Sequence, residues 1–356
     1  MTEVSDGRTE LRAVVRHFLE RSADSAAVRR VIADDAARYD HVLWTRLCRE
    51  LGLTGMAIAE EFGGSQASVK EIAVVLEEIG RANLPAPYLS TVLAALALSD
   101  AEPDDAVAAA LTAIASGERI AGVHFGDLGV SAGRVSGQIS ALLDGADVDL
   151  LVVIGTEYGT LIDLRAPGVT VTPLQTMDLT RGQARVQLND VVVHELRVPR
   201  NWARHASALA VTLLAAEQIG GARRCLETAT SYAQQRVQFG RPIGSFQAIK
   251  HLCADMLVEV ELARVIYEHA LDVAVSDAAT DDFAAAASAA KVACTHAFAQ
   301  LTGDTIRVLG GIGYTWEHDA HLYFRRARAA APLFGGVSRH LDRIAEHAGL
   351  GTKEGS

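Results

Sequence analysis

The sequence lacks the marks of several large protein classes. Its four cysteines, Cys48, Cys225, Cys253 and Cys294, show no Cys-x-x-Cys spacing, so the sequence signals neither a thiolate metal site nor a redox pair. They are expected to be reduced structural thiols, which fits a cytoplasmic protein. His-Glu-x-x-His, Gly-x-Ser-x-Gly and a Gly-x-Gly-x-x-Gly following a strand are all missing. No Lys/Arg block occurs and the net charge is −11, so no nucleic-acid partner is expected. Charge interrupts every apolar stretch before a membrane-spanning length. The opening Met1-Thr2-Glu3-Val4-Ser5-Asp6 has neither the basic nor the apolar segment of a secretory leader. No membrane insertion is therefore expected. Aromatic residues are scarce at 5%, while alanine is abundant, a composition suited to closely packed helices.

What is present is an ordinary globular balance, 49% hydrophobic and 22% charged over 356 residues, enough for two or three domains. Residues 1–118 carry helical periodicity, with Leu11, Val14, Val15 and Phe18 at its start. Ser68 and Glu71 form a capping-box pattern ahead of the apolar run Ile72 to Leu76. Residues 119–200 change to short β-branched runs, Leu150 to Ile154, Leu161 to Leu164, Val169 to Thr172 and Ala184 to Leu188, separated by turn residues. Residues 201–356 return to long helices. Their clearest seam is Ile249, Leu252, Met256, Val260, Ala263, Tyr267 and Leu271. The expected fold is α+β and mostly α: an N-terminal helical domain, a middle antiparallel β domain and a C-terminal helical bundle.

The most specific stretch is Arg236-Val237-Gln238-Phe239-Gly240-Arg241-Pro242-Ile243-Gly244-Ser245-Phe246-Gln247. A second is Leu309-Gly310-Gly311-Ile312-Gly313-Tyr314, followed by Leu322-Tyr323-Phe324-Arg325-Arg326. Earlier in the chain come Leu51-Gly52-Leu53, Glu60-Glu61-Phe62-Gly63-Gly64 and Leu76-Glu77-Glu78-Ile79-Gly80-Arg81, with a weaker Met177-Asp178-Leu179-Thr180-Arg181. In this order, they resemble the motifs of the acyl-CoA dehydrogenases over most of the chain.

The resemblance implies a C-terminal four-helix bundle, FAD, acyl-CoA substrates, a dimer-of-dimers tetramer and an electron-transfer acceptor protein. In that family each FAD lies between subunits, and one subunit clamps the adenine and pyrophosphate of its neighbour's cofactor. The residues carried over to that clamp are Arg236, Gln238, Phe239, Gln247, Arg307, Gly310 and Gly311. Arg236 and Arg307 would meet phosphate charge, Phe239 the adenine end, and Gln238 and Gln247 would offer amides. Gly310 and Gly311 would let backbone approach closely. Glu317, His318 and Asp319 suggest an acid/base cluster but are better explained as a helix start capped by Asp319. Trp316 is expected to be packing.

The resemblance fails where chemistry is done. Family chemistry removes an α-proton with a carboxylate while a hydride leaves the β-carbon for the flavin. The usual Glu lies nine residues after an Arg that Arg325 matches, and Phe334 stands there. The alternative position, 26 residues before Arg236, is Ala210. Glu217, two helical turns further on, is expected to make a structural pair. The loop that cups flavin and thioester in the family is replaced by the stretch from Ala121 to Val130, containing His124 and Asp127. The chain thus resembles the Glu-less subunit of bacterial heterotetrameric acyl-CoA dehydrogenases, active with a second subunit that carries the Glu and suited to bulky, including steroid, acyl-CoA substrates. Two other expectations stay open: a self-sufficient flavoenzyme using Glu217 or Asp127, and a flavin-free scaffold subunit.

Overall fold

A computed structural model describes residues 2–34, 38–276 and 280–350 of the chain. Six helices come first: α1 (Thr2–Ser22), α2 (Ser25–Ala33), α3 (His41–Arg49), α4 (Val69–Ala82), α5 (Tyr88–Ser99) and α6 (Asp105–Ala115). Eight strands follow: β1 (Ala121–Phe125), β2 (Val130–Ser131), β3 (Arg134–Leu143), β4 (Leu150–Ile154), β5 (Gly159–Asp163), β6 (Val169–Leu174), β7 (Gln183–Val192) and β8 (His194–Leu196). The chain ends in α7 (Trp202–Gln235), the hairpin of β9 (Val237–Gln238) and β10 (Arg241–Pro242), α8 (Gln247–Ala274), α9 (Thr280–Leu309), α10 (Ala320–Ala330) and α11 (Val337–His347). Among the described residues no helix is long and apolar enough to cross a membrane.

Local chemistry explains the helix starts. Asp40 accepts from the Val42 and Leu43 amides at 2.9 and 3.0 Å, and Asp104 accepts from those of Ala106 and Val107 at 3.0 Å. Glu71 reaches back to the Ser68 amide at 2.6 Å, one arm of the capping box expected before α4.

Two compact units share the chain. The first comprises Met1–Ala26, Ala73–Leu84 and Val211–Ser356, the second Ala27–Ile72 and Pro85–Ala210. In the second unit α5 is buried on all sides, as its sequence without a polar face requires, and packs against β1 and β4. The strands form two four-stranded sheets, ordered β1-β4-β5-β8 and β2-β3-β7-β6. All pairs are antiparallel except β1 with β4. Between those two the chain makes the β2–β3 hairpin in the other sheet and returns in its original direction. β4 is buried throughout, which accounts for its unbroken apolar run.

In the first unit the α8 seam is buried from Met256 to Leu271, and α8 packs on α9, whose inner face is small: Ala287, Ala290, Cys294 and Ala297. Arg12 and Arg16 of α1 hold the buried carboxylates of Glu77 and Glu78 on α4 at 2.7–3.0 Å, and Tyr267 donates to Glu77 at 3.2 Å. The four cysteines are free. Burial pushes the Cys48 thiol up to about 11 and that of Cys225 to about 12.

The closest approach lies between α4 and α7. A Cβ on Gly80 would sit 2.0 Å from the Glu217 carbonyl oxygen, and one on Gly220 only 1.8 Å from that of Glu77. The two helices cross backbone to backbone, and neither glycine admits a methyl group without moving them apart. Gly220→Ala is expected to lower stability by roughly 1–3 kcal/mol or more in chemical denaturation. Gly303→Ala in α9, where a Cβ meets nothing within 4 Å, is expected to be neutral or to stabilise by up to about 1 kcal/mol.

Candidate functional site

The seven residues proposed to hold a cofactor all belong to the first unit and fall on two segments. After α7, Arg236 leads into the β9–β10 hairpin, closed where Gln238 pairs with Arg241. The loop residues Phe239 (φ +54°) and Gly240 (φ +77°) are both left-handed, the pattern of a type I′ turn. Glycine takes this conformation freely, whereas a phenylalanine there costs about 1–2 kcal/mol. The Phe239 ring is also 91% exposed. A ring so exposed on so strained a turn contributes little to the core. Phe246 stands edge-on to it at 6.1 Å, with the Arg241 guanidinium 4.1 Å from the Phe246 centroid. Gln247 opens α8 and is exposed.

The second segment is the end of α9. Arg307 is exposed and pairs with Asp304 at 2.8 Å. Gly310 (φ +64°) stops the helix and Gly311 follows in a tight turn. A Cβ on either glycine would meet nothing within 4 Å, so the approach these glycines leave open faces outward. Tyr232, one turn before Arg236, packs against Ile306, Leu309 and Ala320. That contact brings both segments to one end of the bundle. Two guanidinium groups, a bare ring, exposed amides and uncovered backbone together fit a diphosphate joined to a flat base.

One expectation is refined and one corrected here. Trp316 does pack against neighbours, but at the surface, where it is 61% exposed. Its ring lies edge-on to His321 at 4.4 Å, and the Arg325 guanidinium sits 5.5 Å from its centroid. The start of α10 is capped by His318, whose Nδ1 accepts from the Ala320 amide at 3.1 Å, and Asp319 makes no capping bond. Sequence reasoning also passed over the outer face of α8, where Leu257, Val258, Leu262, Val265 and Ile266 are exposed. The signal was there: these residues alternate with the buried seam and make the helix apolar on two sides.

The profile of the acyl-CoA dehydrogenase N-terminal domain matches residues 5–118, and that of the C-terminal domain matches residues 202–349. The chain belongs to the acyl-CoA dehydrogenase family. Acyl-CoA dehydrogenase IpdE2 of Mycobacterium tuberculosis is 38% identical over 338 residues, covering 95% of this chain and 96% of that one. Acyl-CoA dehydrogenase FadE34 of the same organism is 37% identical over 96% of this chain, which spans only 48% of FadE34. Among solved structures the Tcur3481–Tcur3483 steroid ACAD G363A variant superimposes with a TM-score of 0.88 at 29% identity, covering 97% and 98% of the two chains.

For an acyl-CoA dehydrogenase the decisive question is the base. Phe334 lies between α10 and α11, in a turn whose residues 331–336 are Ala-Pro-Leu-Phe-Gly-Gly and contain no acid. The turn is firmly held. Phe334 is left-handed (φ +58°), and its carbonyl accepts from His340 Nε2 at 3.2 Å. Lys291 donates to the Ala330 carbonyl at 3.0 Å. Because a carbonyl only accepts, His340 carries a proton on Nε2, while Nδ1 lies 3.1 Å from Ser288 Oγ, whose hydroxyl donates to the Ala284 carbonyl at 2.8 Å. Ala210 is fully buried in α7.

Neither alternative acid is placed as a base. Glu217 accepts from Arg326 Nη1 at 3.0 Å, both side chains are 3% exposed, and Arg326 Nη2 also donates to the Leu84 carbonyl at 3.1 Å. A neighbouring guanidinium favours the charged carboxylate and makes it a poor proton acceptor. Asp127 accepts from the Thr156 amide and hydroxyl, both at 2.8 Å, which hold its carboxyl below the usual range. It therefore has the partner that the sequence did not reveal. His124 is half-buried at the end of β1, and burial lowers its pKa.

Two predictions follow from this geometry. Glu217→Gln leaves the Arg326 charge buried and is expected to cost about 3–5 kcal/mol, whereas the double change Glu217→Leu with Arg326→Met restores most of the loss in urea titrations. Burial, reinforced by Arg343, Lys291 and Arg339, holds the His340 pKa down to about 4. The unfolded imidazole protonates near 6.5, so between these values the unfolded state binds the extra proton. Stability is expected to be full above pH 6.5 and to fall by roughly 2 kcal/mol towards pH 4. His340→Gln flattens that slope in melting curves.

Proposed function

We propose that this chain is an FAD-dependent acyl-CoA dehydrogenase subunit that works in a hetero-oligomer. It supplies Arg236, Gln238, Phe239, Gln247, Arg307, Gly310 and Gly311 to a cofactor whose reacting ring lies in a partner, while the partner supplies the carboxylate base. The reaction is α,β-desaturation of an acyl-CoA thioester, with electrons passing to an acceptor protein. FAD, when bound, takes up the hydride. The observation that carries this reading is the pairing of a bare, strained Phe239 with a base position filled by Phe334. One side chain points to a partner's cofactor, and the other has no atom able to accept a proton.

Three further facts support it. The exposed aliphatic face of α8 is costly to leave in water and suits a subunit contact. FadE34 is about twice the span matched here, which leaves room in one polypeptide for a second unit of similar size. The steroid ACAD that this chain resembles carries a two-component name, and a bulky steroid-type acyl group follows as the proposed substrate class. The division into domains at 118 and 200 belongs to the same proposal. The ion pair on Glu217 and the bonds on Asp127 weigh against a self-sufficient enzyme.

Coexpression with a Glu-bearing relative is expected to give a yellow complex with half an FAD per subunit. The lone chain is expected to be slower by at least the ~10²–10⁴-fold that one base contributes. Phe239→Ala together with Arg236→Ala should lower the FAD content of the complex without dissociating it. Strong desaturation by the purified lone chain overturns the proposal, and a colourless complex would show a flavin-free scaffold instead.

A further inference from the structure

Asn83 closes α4 in the first unit. Its φ of +50° is left-handed, a conformation that glycine supplies freely and asparagine tolerates. A helix-terminating asparagine of this kind ordinarily keeps its amide in water. Here the residue is 2% exposed, and neither Oδ1 nor Nδ2 has a hydrogen-bond partner among the described residues. Glycine would make the same turn with no amide to desolvate. The backbone therefore does not explain the side chain, and an unpaired buried amide is among the costlier features a fold can carry.

Its surroundings are polar. Gly80, three residues earlier, touches the Glu217 carbonyl, and the carbonyl of Leu84, the next residue, accepts from Arg326. The turn thus abuts the buried Glu217–Arg326 pair, whose charges cancel. A charged ligand group finds no uncompensated charge there. What the amide lacks is a donor for Oδ1 and acceptors for the two N–H groups of Nδ2. A hydroxyl both donates and accepts, whereas a ketone or a carboxylate only accepts and leaves Oδ1 unmatched.

The geometry points to Asn83 as a binding residue for a hydroxyl group carried on the acyl part of the thioester. The class of ligand rests on the acyl-CoA reading above, and the site itself rests on the amide. It predicts a ligand that is bulky and oxygenated rather than a plain hydrocarbon chain.

The test uses the complex of this chain with its partner and two thioesters, a ring-hydroxylated acyl-CoA and its deoxy analogue, titrated calorimetrically. The hydroxylated thioester is expected to bind about tenfold more tightly, and Asn83→Leu to abolish that preference. Without ligand, the Asn83→Gly complex should melt no lower than wild type, because glycine keeps the left-handed turn while an unpaired amide is removed. Equal binding of the two thioesters by wild type overturns the inference. So does a lower melting temperature of Asn83→Gly with the preference intact, which would show an internal water only. If neither thioester binds, the acyl-CoA reading itself fails and the inference falls with it.

Discussion

The backbone crossing of α4 and α7 is the constraint on which the first unit turns. Gly80 and Gly220 place each helix against a carbonyl of the other, closer than any side chain permits. At that separation Glu217 cannot reach solvent, so its charge must be met inside the protein. Arg326 of α10 meets it, and Arg326 in turn holds the Leu84 carbonyl just beyond α4. Three helices are thus tied by one steric contact and one ion pair. A buried ion pair is weak evidence of net stability, since two well-packed apolar groups often do as well. Its value lies in register: moving α10 along α7 by a turn would leave two charges buried and unmatched.

The end of the bundle proposed to meet a cofactor is built differently. Its residues are exposed, strained or open, and they form few contacts with the core. Phe239 in a left-handed turn, Arg236 at a helix end and the two glycines after α9 contribute little to folding the chain. Such features persist where an outside contact repays them. A diphosphate with an attached ring offers that repayment through charge, stacking and backbone approach together. The base position shows the converse. Its turn is held by Lys291 and His340, so the scaffold survives, yet the side chain it presents is an inert ring.

Much of this was legible in the sequence where periodicity or turn chemistry is local. The α8 seam, the β4 run and the Ser68–Glu71 cap follow from spacing alone, because each depends on neighbours within a few residues. The parallel pairing of β1 with β4 was not legible, since it arises from a hairpin inserted into another sheet. Glu217 shows the same boundary. Its helical position could be counted, and a structural pair was expected, but its partner lies 109 residues away and no spacing rule reaches that far. The partners of Asp127 and Trp316 were not legible for a related reason. A loop carboxylate and an indole at a helix start have several ordinary uses, and only the packing around them selects one.

Phe239 takes an unfavourable turn at the end of the bundle, while the position that the family resemblance gives to the base holds phenylalanine. The proposed contact across a subunit boundary accounts for both, since it calls on the side that would touch a neighbour's cofactor and not on a carboxylate. A self-contained enzyme would have to keep a carboxylate free of a cation, and the two acids considered for that task are committed to Arg326 and Thr156.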